Sequence, residues 1–149
     1  MSDLTSYPSA PRNDPCNGCH ACGLRCTAGI QITEPEYRRI VTHLRAGDPA
    51  TLRRVLGQEK RLPWFEGVST QACLFRDVQR EGCAIYPVRP LICRLFGRVE
   101  WLPCPAGQSV PQLPEGVGLI QRYADEKRLT FEEWLAANHI FDPLDLLPR

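Results

Sequence analysis

Apolar residues recur at helical spacing in the first third of the chain. Four of them lie three or four residues apart, as on one face of a helix: Tyr37, Ile40, Val41 and Leu44. The sequence Thr-Glu-Pro-Glu at 33–36 precedes them as a capping box with proline in the first turn, and Gly47 follows as a stop. The pattern therefore predicts a helix over about 33–46. A shorter second helix is predicted from Asp48 to Gly57.

The middle of the chain has less regular hydrophobic patterning. Residues 58–71 are predicted to be irregular. Short β-type runs at 72–75 and 83–86 flank a charged turn, which predicts a hairpin with one cysteine on each arm. Two prolines at 87–90 form a rigid elbow, and a short helix is expected at 91–96.

The last third predicts two more helices, at about 116–127 and 130–138, after a proline-containing loop. A second capping box at 130–133 opens the later one. With 14 prolines and 11 glycines in 149 residues, long regular elements are not expected. The fold class predicted is a small irregular α+β domain, with short helices and a small β-hairpin packed around cysteine-ligated metal.

This domain is predicted to span residues 16–140. Residues 1–15 are interpreted as a flexible proline-rich leader, and residues 141–149 as a tail that docks on the body or on a protein partner. The leader lacks the basic start and apolar stretch of a secretory signal, and no segment is apolar enough to span a bilayer. We therefore expect a cytoplasmic protein without a membrane partner.

Charge does not indicate a nucleic-acid partner, because the net charge is only +1. The basic pairs at 38–39, 53–54 and 60–61 have acidic neighbours and are interpreted as solvated helix surface.

Eight cysteines are many for this length, and in a reducing compartment they favour metal or redox chemistry. The N-terminal four follow a C-x2-C-x2-C-x3-C spacing: Cys16, Cys19, Cys22 and Cys26. Thiols so close in sequence suit one metal centre and suit disulfides badly. The run matches the bacterial ferredoxin pattern, except that Thr27 replaces the proline that would follow. His20, inside this loop, is interpreted as facing the surface rather than as a ligand.

The later four cysteines are roughly ten residues apart: Cys73, Cys83, Cys93 and Cys104. Eight thiols can serve two four-coordinate centres, and two groupings are open. Each set of four can hold its own centre. Alternatively the dipeptide Cys104-Pro105 completes the first three cysteines, as a distant Cys-Pro does in ferredoxins, and Cys26 joins Cys73, Cys83 and Cys93.

Iron–sulfur and zinc are the main candidates for the metal, since both accept four thiolates. Structural zinc sites usually use two C-x2-C pairs, and this chain has no second pair. A compact three-cysteine run favours a [4Fe–4S] cluster, with zinc as the alternative.

Residues 82–96 carry a longer signature, Gly-Cys-Ala-Ile-Tyr-Pro-Val-Arg-Pro-Leu-Ile-Cys-Arg-Leu-Phe. With the N-terminal run, it resembles the YkgJ-type cysteine-cluster family, a zinc- or iron-chelating domain, over about residues 16–104. The resemblance implies metal chelation by all eight cysteines. One feature departs from it: Gly23 stands where the family has a cysteine directly after the third, so Cys26 replaces that ligand or the site differs in nuclearity.

Two arginines flank ligands in this signature and are predicted to bind the centre. Arg89 and Arg94 would offset the negative charge of four thiolates and donate hydrogen bonds to sulfur. Tyr86 and Phe96 are expected to shield the centre from water.

The function predicted from these residues is metal binding, with one or two iron–sulfur clusters used for electron transfer, metal delivery or redox sensing. The alternative is a structural zinc protein that acts as an interaction module. An enzyme is the weakest hypothesis, because the sequence has no nucleophile–base pattern and no glycine-rich nucleotide loop.

Overall fold

The computed structural model describes residues 16, 19, 22 and 26–149, and the small irregular α+β fold is confirmed there. The helices in this part of the chain are α1 (Glu34–Ala46), α2 (Pro49–Leu56), α3 (Leu91–Arg94), α4 (Gly116–Asp125) and α5 (Phe131–Ala137). The strands are β1 (Gln31–Thr33), β2 (Arg61–Phe65), β3 (Val68–Gln71), β4 (Arg76–Asp77), β5 (Gly82–Cys83) and β6 (Arg128–Thr130). Short 3-10 helices lie at Tyr86–Val88 and Pro143–Leu146.

The strands form three antiparallel pairs, β1–β6, β2–β3 and β4–β5. In the first pair Ile32 lies opposite Leu129, and each strand leads directly into a helix, β1 into α1 and β6 into α5. The pair therefore places the starts of two helices side by side. Both predicted capping boxes are present at these starts.

The main hydrophobic core lies between α1, α2, α5 and the C-terminal segment. Tyr37 on α1 contacts two aromatic rings of α5, with centroids 5.5 Å from Phe131 and 5.9 Å from Trp134. The indole of Trp134 donates to the carbonyl of Ile32 at 2.9 Å, which ties α5 to β1. A second, smaller cluster joins α3 to α4.

The tail packs on the body of the protein. Leu146 and Leu147 are buried in the main core, and Arg53 on α2 donates to the carbonyl of Pro148 at 2.7 Å. Phe141 points away from this core and is 81% exposed. No helix in residues 26–149 is long and apolar enough to cross a membrane.

Two expectations for the middle of the chain were wrong. Residues 58–71 are not irregular, because β2 and β3 form a hairpin around Gly67, whose φ of 71° suits a tight turn. The sequence does not predict this hairpin because Pro63 is unfavourable in a strand. In the structure, the strand pairing shifts register next to Pro63. The cysteine hairpin exists but is displaced: its paired residues are 76–77 and 82–83, and Cys73 precedes the first strand.

Lys60 also differs from its expected place on a solvated helix surface. It lies outside any helix and is only 5% exposed. Its ammonium group donates to the carbonyls of Val55 and Arg76, so an inward-facing lysine joins the end of α2 to β4.

Candidate metal centres

Cys26 and Cys73 are held together by backbone pairing. The Cys73 amide donates to the Cys26 carbonyl at 3.0 Å, and Thr27 and Ala72 form an isolated antiparallel bridge beside them. Residues directly opposite in an antiparallel pair have neighbouring side chains. The Cys73 thiol accordingly hydrogen bonds to Cys26, and this bond, followed by burial, raises the pKa of Cys73 well above its ordinary value.

Cys83 and Cys93 approach the same place from the hairpin and from α3. Cys83 ends β5, and Cys93 follows the proline elbow, where its amide donates to the Pro90 carbonyl at 3.0 Å. Burial raises the pKa of Cys83 to about 11, and Cys73 adds to that shift. Burial also raises the pKa of Cys93, with further contributions from Cys73 and Cys83. We call Cys26, Cys73, Cys83 and Cys93 the core group.

The other four cysteines form a second set. Burial raises the pKa of the Cys22 thiol, and the nearby Cys16, Cys104 and Cys19 raise it further. The Cys19 amide donates to the Cys16 carbonyl at 3.2 Å, as in a tight turn. We call Cys16, Cys19, Cys22 and Cys104 the loop group.

A turn after α3 brings Cys104 toward this set. Gly97 has a φ of 78° and donates to the Leu102 carbonyl at 2.6 Å, which reverses the chain. A Cβ on Gly97 would lie 3.3 Å from the Cβ of Cys104, so the backbone and this cysteine are in close contact. The turn thus separates Cys93 of the core group from Cys104 of the loop group.

Arg89 lies between the two groups. Its positive charge lowers the pKa of Cys22, Cys83 and Cys93, in each case against the larger effect of burial. The guanidinium stacks on Tyr86 with its carbon 3.9 Å from the ring centroid, and its Nε donates to the Tyr86 carbonyl at 3.1 Å. Arg89 therefore places a positive charge near thiols of both groups, and its role at a metal centre stays a prediction.

Tyr86 links the same elbow to the N-terminal loop, because its hydroxyl donates to the carbonyl of Cys16. Arg94 follows Cys93 on α3 and is half-buried. A role for Arg94 at a centre stays a prediction.

A cavity of about 80 Å³ lies where the groups meet. Its lining includes six of the cysteines: Cys19, Cys22, Cys26, Cys73, Cys83 and Cys93. Tyr86 and Phe96 also line it, and most of the remaining wall is apolar. Their shielding role stays a prediction. Such a wall limits the access of water to any bound metal.

The thiols of each group are near one another without being drawn to a single point. Among residues 16, 19, 22 and 26–149, no three cysteine, histidine or acidic side chains are gathered as ligands of one ion would be. Metal binding would require the raised-pKa thiols to lose their protons, so uptake releases protons and weakens as pH falls. The donor set itself, eight thiols with one arginine between them, fits thiophilic metals.

Comparison with known families identifies the chain. The model of the CxxCxxCC family, described as "Putative zinc- or iron-chelating domain", matches residues 15–128, a range that contains all eight cysteines. The chain belongs to this family. The family resemblance inferred from residues 82–96 is confirmed, and membership supports metal binding. The CxxCxxCC description names zinc and iron together, so the choice between them depends on the site. No curated protein and no solved structure matches the chain significantly.

Two buried charged residues beside the core group were not predicted from the sequence. Glu36 was interpreted only as part of a capping box, yet its Oε1 accepts from the amide of Leu91 on α3 at 2.7 Å. Lys60 was placed on the surface. Lys60 stands between Glu59 and Arg61, and Glu36 is two residues from Glu34, so their sequence neighbours gave no signal of burial. His20 lies outside the described residues.

Proposed function

We propose that the chain is an iron–sulfur protein with two clusters, one on the loop group and one on the core group, that serves electron transfer or redox sensing. The observation that carries this proposal is the division of the eight thiols into two sets of four, together with one cavity that is lined by six of these thiols and lies where the two sets meet. A [4Fe–4S] cluster takes four thiolates, so two sets of four suit two clusters. When bound, such clusters supply one-electron redox chemistry.

The dimensions of the site favour a cluster over a single zinc ion. Zinc–sulfur bonds of about 2.3 Å place tetrahedral ligand sulfurs about 3.8 Å apart, which leaves no free volume. A site for one water needs ~10–15 Å³ on this measure. The 80 Å³ cavity, which is lined by thiols of both groups, therefore has room for more than a single ion.

The surroundings suit a redox centre. Arg89 offsets negative charge between the groups, and the apolar wall lowers the local dielectric constant. Both factors affect a reduction potential. Delivery of iron to another protein is a related function, and it would need an iron with an open coordination position. We expect the protein to act in the cytoplasm, where thiols stay reduced.

A structural zinc protein is the second candidate, supported by the family description. In that case the exposed Phe141 is the residue of the tail best placed to contact a protein partner. Single exposed apolar side chains are common on protein surfaces, however, so this observation supports the candidate only weakly.

The test begins with protein purified without oxygen. Absorption near 400 nm and about eight irons per chain are expected for two [4Fe–4S] clusters. A colourless protein with zinc and no iron would overturn the iron–sulfur proposal and favour the second candidate.

Three variants then distinguish the possible groupings: Cys93→Ser, Cys104→Ser and the double variant. In the proposed grouping the two cysteines serve different clusters, so each single variant keeps about four irons and the double variant loses nearly all. If the N-terminal four cysteines form one centre, both substitutions affect the same cluster. The double variant would then keep as much iron as either single variant, and the proposed grouping would be wrong.

A further inference from the structure

Two buried side chains of opposite charge lie behind the core group. Lys60 is 5% exposed and Glu36 is 3% exposed. Burying a charge is costly unless it is hydrogen-bonded or paired, so both positions call for an explanation.

Hydrogen bonds connect Lys60 to the segment that carries Cys73. Its carbonyl accepts from the amide of Ala72 at 2.8 Å, and its ammonium group donates to the carbonyl of Arg76, whose own amide donates to the Cys73 carbonyl at 3.0 Å. The ammonium also contacts the carbonyl of Val55 at 2.7 Å and Oε1 of Gln58 at 3.4 Å. All three partners are acceptors, and only a protonated lysine has three donors to offer. The charge is therefore present.

A hydrogen bond connects Glu36 to the first residue of α3, the helix that carries Cys93. Oε1 accepts from the amide of Leu91 at 2.7 Å, and Oε2 accepts from the amide of Thr33 at 2.9 Å and the hydroxyl of Tyr123 at 2.6 Å. Both oxygens accept from backbone N–H groups, which matches an ionised carboxylate.

We propose that Lys60 and Glu36 are positioning residues for the core-group metal centre and act on it with opposite electrostatic effects. This inference rests on the proposed function, since it requires metal on the core group. Lys60 stabilises a negatively charged thiolate centre, and Glu36 destabilises it while fixing the start of α3.

The electrostatic interactions of Lys60 and Glu36 with the core-group thiols have the signs that this proposal requires. Burial lowers the pKa of Lys60, and the neighbouring Cys73 and Cys26 oppose that shift. Glu36 adds to the increase that burial causes in the pKa of Cys93. A unit charge about 10 Å away changes a charge-dependent equilibrium by roughly tenfold at an effective dielectric constant of about 20.

The experiment compares charge-removing variants with charge-keeping controls in a Cys104→Ser background, which leaves the core-group centre as the reporter. Lys60→Met is paired with Lys60→Arg, and Glu36→Gln is paired with Tyr123→Phe, which removes one hydrogen bond and keeps the carboxylate. The readouts are the midpoint potential of a redox-active centre and metal retention against a chelator. The second readout also applies to zinc.

Lys60→Met is expected to lower the potential and to raise the metal dissociation constant about tenfold, and Glu36→Gln to change both in the opposite direction. Tenfold corresponds to about 59 mV for one electron. The controls should shift much less. A purely structural role would weaken metal retention in both variants, so shifts of the same sign, or none, would overturn the inference. Where one charge-removing variant does not fold, the other and its control decide.

The metal content of the Cys104→Ser parent shows whether a negative result contradicts only the inference about Lys60 and Glu36 or also the proposed function. A parent without core-group metal overturns both. A parent with metal, and variants without opposite shifts, overturns only the inference about Lys60 and Glu36.

Discussion

Asp77 should contribute more to stability than the exposed ion pair between Glu34 and Arg38, because it organises the turn between Cys73 and Cys83. The residue is 6% exposed, and its carboxylate accepts from both terminal nitrogens of Arg54, at 3.1 and 2.6 Å. It also accepts from the Gln58 amide group at 2.9 Å and from the backbone of 79 and 80 at 3.1 and 3.2 Å. Asp77→Asn keeps the shape of the side chain and removes the charge.

The expected loss is about 2–3 kcal/mol. Hydrogen bonds to charged groups contribute about 1.5–3 kcal/mol each, and breaking a fully buried pair costs about 3–5 kcal/mol. The Arg54 side chain is 29% exposed, so the water around it reduces the loss below that upper range. For a chain of this size, the loss lowers Tm by ~5–10 °C, measurable by calorimetry on metal-loaded protein.

The matched control is Glu34→Gln, which breaks the exposed pair between Glu34 and Arg38. It should cost less than about 0.5 kcal/mol. If Asp77→Asn changed Tm no more than this control, the reasoning from burial and hydrogen bonding would be refuted.

The effect of Asp77 should depend on pH in a defined direction. Its hydrogen bond with Arg54 holds the pKa of Asp77 well below the ordinary value. A carboxyl with a lowered folded pKa stabilises the protein above the unfolded pKa of about 3.9 and loses that contribution as pH falls toward the folded value. The difference in Tm between wild type and Asp77→Asn should be full at neutral pH and shrink below about pH 4.

Three further variants test the loop group and the tail. Gly97→Ala adds a methyl group to a residue with a φ of 78° and places it 3.3 Å from the Cβ of Cys104, so metal on the loop group should be lost. Gly107→Ala is the control, because its φ of 69° is similar but the space around it is open, and this variant should keep the loop-group metal. Tyr86→Phe removes the hydroxyl that holds the N-terminal loop and should speed loop-group metal release several-fold in a chelator assay, whereas unchanged release would show that this bond is unimportant. Leu146→Ala should cost about 2–4 kcal/mol in a denaturation assay because the side chain is buried, against less than about 0.5 kcal/mol for the exposed Phe141→Ala. Equal losses would contradict the docking of the tail.

Local signals predicted the helices well. α1 and α5 begin at their capping boxes, and α2 follows its N-cap residue Asp48, which accepts from the Thr51 amide at 2.9 Å. These features depend on residues a few positions apart, so the sequence displays them directly. The family signature likewise identified the cysteines as a set.

Pairings between distant residues could not be predicted in the same way. β1 and β6 have three residues each and lie far apart in the chain, so neither shows a strand pattern of useful length. The inward position of Lys60 depends on acceptors at Val55 and Arg76, which only the folded hairpin brings together. The choice between the two cysteine groupings is of the same kind, because it depends on the turn at Gly97.

Along the chain, the whole core group lies between the third and fourth cysteines of the loop group, and this order has a consequence for metal uptake. Cys22 and Cys26 are close in sequence but belong to different groups, as do Cys93 and Cys104. In the proposed grouping, the loop-group centre closes a chain loop of about 80 residues between Cys22 and Cys104, and the core-group centre joins Cys26 to Cys93 inside it. Once the core-group centre is filled, only about 15 residues of that loop remain to be closed. Loop-closure entropy scales with the logarithm of length, so the second metal binds ~1.5 kcal/mol more favourably, about tenfold. Uptake should thus be positively cooperative, and limited metal should leave fewer half-filled molecules than two independent sites would.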